Sequence, residues 1–399
     1  MEDLPLDVAA VLERGLAETA PAIALAVYHW GELVADAAYG SLDPETQRQP
    51  VEPGTPFDLA SVTKLYTVTA FLMQVAEGRA RLDTPVVDII PEFRGVGARP
   101  IAGLQDPHTL EMLPVETPTS TLVLPTFITF RHLLTHTGGL APWRDLFRQV
   151  GPPPPPPGEP DPVPRPQRLG AALKLIAEYP FVDKPGQHVH YSDLGLILLG
   201  EAVARLDGRL NVAEVIKARV SGPLGCGATT FNPPDPTRCP PTELDERWRG
   251  RRVQGQVHDE NAAALGGIAG HAGLFAPAAE VARFGQAWLD AVQGAGRAIL
   301  PPTLATDATR VHAEDRGLGW VLKTSHADSS AGSLYSLGSF GHTGFTGTSL
   351  WIDPSRQLVT ALLTNAVYNG RDMTTFALRR AVHDAVCDWV DELTIPHGG

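Results

Sequence analysis

The sequence predicts an α/β (α+β) fold in which the two ends of the chain build one mostly antiparallel sheet and a helical lobe is inserted between them. Three observations lead there. Strand-like runs cluster at 22–39 and 318–364, helical patterns and long loops fill the middle, and 399 residues are more than one minimal core needs.

Taken in order, Leu6, Val8, Val11, Leu12 and Leu16 recur at helical spacing and predict a surface helix over 6–18. Residues 22–28 and 33–39 read as two strands joined by a tight turn at Trp30-Gly31. A loop over 43–56 leads into Phe57-Asp-Leu-Ala-Ser-Val-Thr-Lys64. After it, 65–76 is apolar on all sides, as a buried helix ended by Gly78 would be. From about 80 to 265 the clearest helices are 169–179 and 194–206. Pro152 to Pro157 form an unbroken proline run, expected as a stiff extended surface loop, with a proline-recognition ligand as the alternative. Strands are expected at 318–323, 334–340, 349–353 and 358–364, then a final helix from about Thr374 to Val390. The lobes so defined are 1–80 with 265–399 (α/β) and 81–264 (helical, with the proline loop at 152–157).

Composition narrows the partners. Asp plus Glu outnumber Lys plus Arg by 45 to 32, a formal charge of -13, which repels phosphate backbones and anionic lipid. Nucleic acid and membrane are therefore not expected partners, and a small molecule is. The first 18 residues carry Glu2, Asp3, Asp7, Glu13 and Glu18 and lack the pattern of a secretory signal. With three cysteines at no metal-ligand spacing, a reducing cytoplasm is the expected compartment. Oligomeric state leaves no signal.

Three short constellations carry chemistry. Ser61 and Lys64 are three apart at a helix start, so the amine reaches the hydroxyl, and burial would lower its pKa enough to accept the serine proton. A solvated lysine at a helix start would look the same. Tyr191-Ser192-Asp193 precedes a helix; the phenol could relay a proton, or the tyrosine could be core followed by a helix cap. Gly341-His342-Thr343-Gly344, continuing Phe345-Thr346-Gly347, could line a substrate along a strand edge. Its backbone N–H near Phe345 would pair with that of Ser61 as an oxyanion hole; a glycine-rich hairpin is the alternative.

In this order the three motifs resemble those of the serine β-lactamase and penicillin-binding-protein superfamily: Ser-x-x-Lys, Tyr-x-Asn or a variant, then Lys-Thr-Gly or a variant. The stretches Phe57–Lys64, His132-Leu-Leu-Thr-His-Thr-Gly-Gly-Leu140 and Gly344-Phe-Thr-Gly-Thr348 resemble its class C β-lactamase-related branch, which also holds D,D-peptidases, D-aminopeptidases and carboxylesterases. The resemblance covers nearly the whole chain. It implies a β-lactamase/transpeptidase-like fold, no cofactor or metal, and Ser61, Lys64 and Tyr191 as the catalytic trio. His342, Thr343, Gly344, Phe345 and Asp193 would contact substrate. Asp193 stands where the family often has asparagine and His342 where it has lysine, so cationic charge for a substrate carboxylate is reduced. Val257-His-Asp-Glu-Asn-Ala262 and Gly266-Gly-Ile-Ala-Gly-His-Ala-Gly-Leu274 resemble a subgroup that includes a muramyl-peptide amidase, which makes His258, Asp259 and His271 candidates for the cleft wall.

The expected reaction is acyl transfer through an acyl-enzyme. The first expectation is an amide in a small cell-wall-derived or muramyl peptide, the second a short-chain carboxylester, the third a non-catalytic binding protein. A metal hydrolase using His132 and His136, or His188 and His190, is the rival mechanism; no Glu follows His132 as a zinc-protease helix requires.

Overall fold

The computed structural model describes residues 4–394 apart from 108, 115–119, 297–298, 326–328 and 372–374. Strands β1 (Ala22–His29) and β2 (Glu32–Gly40) join β3 (Val321–Leu322), β4 (Phe340–Thr343), β5 (Ser349–Asp353) and β6 (Leu358–Thr364) in one sheet of order β3-β4-β5-β6-β1-β2. Every neighbouring pair is antiparallel. The sheet therefore comes from both ends of the chain, as expected.

Both of its faces are covered, which explains why β1 reads as an unbroken apolar run rather than an alternation. Ala22, Ala24 and Ala26 face one core, together with Phe284 and Trp288 of helix Ala278–Gln293. Ile23, Leu25 and Val27 face a second core with the helices Leu6–Glu18 and Thr375–Thr394. The expected start of that last helix, Thr374, lies outside the described residues.

Two helices position the chemistry: αA, Thr63–Ala76, and αB, Asp193–Asp207. The first is buried along most of its length, and its Gln74 Nε2 donates to the Val203 carbonyl of αB at 2.9 Å. One strand expectation fails. Residues 334–339 are not a strand: the Leu334 N–H donates to Asp384 (2.9 Å), the Ser336 N–H to Asp353 (2.8 Å) and the Ser339 N–H to the Ser336 carbonyl (3.2 Å). Only at Phe340 does the ladder begin. The glycine motif is thus the strand itself rather than its end. Among the described residues no helix is long and apolar enough to cross a membrane.

Candidate active site

Ser61 lies in the single 3₁₀ turn Ala60–Val62 that enters αA. Ala60 has φ 45°, sparsely allowed for a residue with a Cβ. The buried Asp58 carboxylate fastens this turn, accepting the N–H of Ala60 at 2.9 Å and of His258 at 2.6 Å. Burial raises the Asp58 pKa, and those two backbone donors oppose the rise. From the other side, Thr346 Oγ1 donates to the Asp58 carbonyl (2.8 Å) and Thr348 Oγ1 to the Leu59 carbonyl (3.0 Å). A Cβ on Gly344 would lie 2.6 Å from the Leu59 carbonyl oxygen, so glycine is what lets the end of β4 approach the serine turn.

Lys64 is 1 % exposed and donates to Ser61 Oγ at 2.7 Å and to the His271 carbonyl at 3.1 Å. Its Nζ is 2.7 Å from Asp193 Oδ1. Burial alone pulls the amine's pKa down, as expected from sequence. The Asp193 carboxylate and the Tyr191 phenol outweigh burial and carry it above the usual lysine value. The expectation of a lowered lysine pKa is therefore corrected: Lys64 is an ammonium that donates to Ser61. Asp259 adds a further carboxylate. Burial raises its pKa, but the adjacent His271, 2.8 Å away, and Lys64 hold it well below the usual range. Asp193, Asp259 and His271 are grouped closely enough to hold a metal ion; the cation paired with Asp193 here is Lys64.

Tyr191 precedes αB, and its ring lies against Lys64, the Nζ 4.9 Å from the ring centroid. Burial raises its pKa, with Lys64 opposing. The next residue locks the loop. Ser192 Oγ caps αB by accepting the Gly195 N–H (3.2 Å) and donates to the Ala141 carbonyl (2.7 Å). Its N–H donates to His136 Nδ1 at 3.0 Å, and the His136 ring sits 4.6 Å from that of Tyr191. His132 closes a capping box with Thr129. That spacing of histidines serves loop and helix ends, not a shared metal.

Ser61, Tyr191, Asp193, His258 and Phe345 line one pocket of about 240 Å³, walled also by Trp143, Pro142 and Arg371. His258 is nearly buried: its Nε2 meets Glu243 at 2.8 Å and its ring stacks on Phe345, centroids 5.7 Å apart. Thr343 instead opens, with Tyr191 and Arg316, on an adjoining cavity of about 960 Å³. His342 and His271 line neither, being 3 % and 1 % exposed, so both fall behind the cleft rather than on its wall. His271 reaches the centre through its backbone carbonyl. His342 Nδ1 lies 2.7 Å from the Thr343 carbonyl, and burial lowers its pKa to about 3, so it brings no cation there.

Sequence reasoning missed four residues. Asp58 was visible within its motif, but nothing local showed what its carboxylate holds. Trp143, Arg316 and Arg371 carry no motif, and only the fold brings them to the cleft. Arg371 is itself neutralised, by Glu243 at 2.9 Å and by Glu260.

The chain matches the family model described as Beta-lactamase over residues 8–105 and 118–384. It is 32% identical over 408 residues to "Esterase EstB" of Burkholderia gladioli, covering 94% of each chain. To a "Putative D-alanyl-D-alanine carboxypeptidase" of Escherichia coli it is 29% identical over 79% of this chain and 71% of that protein. Among solved structures, "EstCE1, a hydrolase with promiscuous acyltransferase activity" superposes with a TM-score of 0.69 at 21% identity, covering 96% of this chain and 97% of the other. The chain belongs to the beta-lactamase family and is a serine hydrolase within it.

Proposed function

We propose that this protein hydrolyses carboxylesters of short acyl groups through an acyl-enzyme on Ser61. The single observation carrying this is the pocket beside Ser61: small, faced by Trp143, Pro142 and Phe345, with its one guanidinium, Arg371, already paired to two carboxylates. Such a pocket favours an uncharged, compact group over a peptide carboxylate. The likeness to an esterase over 94% of both chains supports the same choice.

In this reading the Ser61 oxygen attacks the ester carbonyl, whose oxygen turns to the backbone N–H groups of Ser61 and Phe345. The serine proton passes to the Tyr191 oxygen while the phenolic proton passes to the departing alkoxide, so Tyr191 ends as it began. Lys64, fixed as an ammonium, stabilises the negative charge that develops on both oxygens. Water then repeats the steps in reverse and frees the acid. The acyl group occupies the pocket with Ser61, and the alcohol leaves past Tyr191 into the larger cavity.

The second reading, an amide in a small cell-wall-derived peptide, has the carboxypeptidase relative in its favour. Purified protein offered p-nitrophenyl acetate and butyrate, D-amino-acid amides, nitrocefin and N-acetylmuramyl-L-alanine peptides separates the two. Turnover of the esters, abolished in Ser61→Ala, with the peptides left intact at high enzyme concentration, is the expected result. Peptide cleavage as efficient as ester cleavage would overturn the ester reading.

A further inference from the structure

Among the described residues, one group of metal-ligating side chains outside the catalytic centre is unused by the reaction. Asp183 Oδ2 lies 2.7 Å from His188 Nδ1 and 3.0 Å from His190 Nε2. The other carboxylate oxygen, Oδ1, is occupied by the N–H of Lys184 at 2.7 Å, so Oδ2 faces the imidazoles. The two rings stand 80° apart with centroids 6.4 Å apart, which lets one nitrogen from each converge on a common point. All three ligand atoms lie within 4.8 Å of one another.

The loop is built to keep them there. Gly186 turns the chain at φ 80°, and its N–H donates to the Thr137 carbonyl at 2.7 Å. On either side, the Val182 N–H donates to the Gly139 carbonyl and that of His190 to the His136 carbonyl, both at 2.8 Å. The Val189 N–H donates to Glu314 at 3.1 Å. Asp183 is 17 % exposed, His190 28 % and His188 69 %, so one side is backed by protein and the other opens to water.

We propose that Asp183, His188 and His190 form a three-ligand site for a divalent transition-metal ion of the zinc class, separate from the catalytic centre and on the loop that delivers Tyr191. Two neutral imidazoles and one carboxylate suit zinc, which bonds such nitrogens and oxygens at about 2.0–2.2 Å and takes water in its remaining position. Ligand atoms around such an ion stand about 3.3 Å apart, so the two distances from Asp183 Oδ2, 2.7 and 3.0 Å, need to lengthen by only about 0.3–0.6 Å.

The test uses the tag-free, chelator-stripped full chain, titrated with Zn²⁺ by calorimetry and with Co²⁺ by visible absorption. One ion per chain is expected, with Asp183→Asn and His188→Ala each weakening binding by at least ~10-fold. His188 is largely exposed, so His188→Ala should keep the fold and the metal-free ester hydrolysis unchanged. Failure to bind either ion up to about millimolar concentration overturns the proposal. So does binding that survives both variants but is lost in Asp259→Asn, which would place the ion beside Lys64. Neither outcome touches the ester reading, which rests on Ser61.

Discussion

Replacing Asp193 by asparagine tests the charge state of Lys64 directly. The ion pair spans 2.7 Å, with the lysine side chain 2 % and the aspartate 17 % exposed. At an effective dielectric near 20, two unit charges at that distance attract by about 6 kcal/mol. That corresponds to roughly four pKa units at 1.36 kcal/mol each, less whatever solvent at the aspartate screens. The wild-type lysine is raised above its usual value because Asp193 and Tyr191 outweigh burial. Asparagine keeps the shape and removes the charge, so the lysine pKa falls from its wild-type position, with burial opposed only by Tyr191 and Asp259. In the wild type, Lys64 stays charged across about pH 6 to 10 and contributes no limb to the kcat/KM profile for p-nitrophenyl butyrate. In Asp193→Asn the ammonium is lost as pH rises, so a new descending alkaline limb is expected. A new ascending limb, with activity growing as the lysine deprotonates, would show that the free amine is the base and refute the ammonium assignment. Unfolding reports the same substitution: stability falls by up to ~3–5 kcal/mol, less to the extent that the lysine sheds its proton.

Tyr191→Phe should lower kcat for ester substrates by at least ~100-fold while leaving Ser61 open to slow labelling by a fluorophosphonate; Ser61→Ala should take no label at all. Trp143→Ala enlarges the pocket beside Ser61, so the preferred p-nitrophenyl ester should move from short to longer acyl chains; an unchanged chain-length profile would remove Trp143 from the acyl wall. Glu243 gives a stability test. Burial raises its pKa, but His258 and Arg371 overcome this and lower it from 4.5 to about 2. Its stabilisation is thus present above about pH 4.5, fades as pH falls towards 2, and amounts to at most about 3 kcal/mol. Glu243→Gln should be destabilised at neutral pH and converge on the wild type near pH 2 in chemical unfolding. A constant difference at all pH values would exclude the carboxylate's charge as the cause.

What the sequence made legible was local. Ser61 and Lys64 three apart at a helix start, and the apolar run of β1, could be read because each pattern lies within one element. The charge on Lys64 could not, because Asp193, Asp259 and the His271 carbonyl come from distant segments. The same holds for residues 334–339, whose apolar residues suggest a strand. The N–H groups of Leu334 and Ser336 are taken by Asp384 and Asp353, acceptors that only the packed fold supplies. His342 and His271 were expected at the cleft because each stands in a glycine-bearing stretch that resembles a family motif. Those glycines serve close backbone contact instead: Gly270 packs so tightly on αB that a Cβ there would lie 2.1 Å from the Leu196 carbonyl oxygen. Flexible neighbours and an exposed position leave the same trace in sequence, and only burial separates them.

That contact ties the chemistry to the fold. The start of αA carries Lys64 where a helix N-terminus is electropositive, an unfavourable place for an ammonium. What keeps it there is Asp193 at the start of αB and the His271 carbonyl of the loop pressed against αB. Both arrive only when αB docks on αA. A mutation that loosens this docking, such as Gly200→Ala, whose Cβ would lie 2.7 Å from Gly270 Cα, should therefore disturb Lys64 before the sheet is affected. Gly341 offers the converse. Its Cβ would lie 2.3 Å from the Leu350 carbonyl oxygen, within the β4–β5 pairing, so a substitution there strikes the sheet directly. The pair separates the two contributions: the helix contact sets the charge beside Ser61, and the strand holds the Gly344–Thr348 segment that clamps the serine turn.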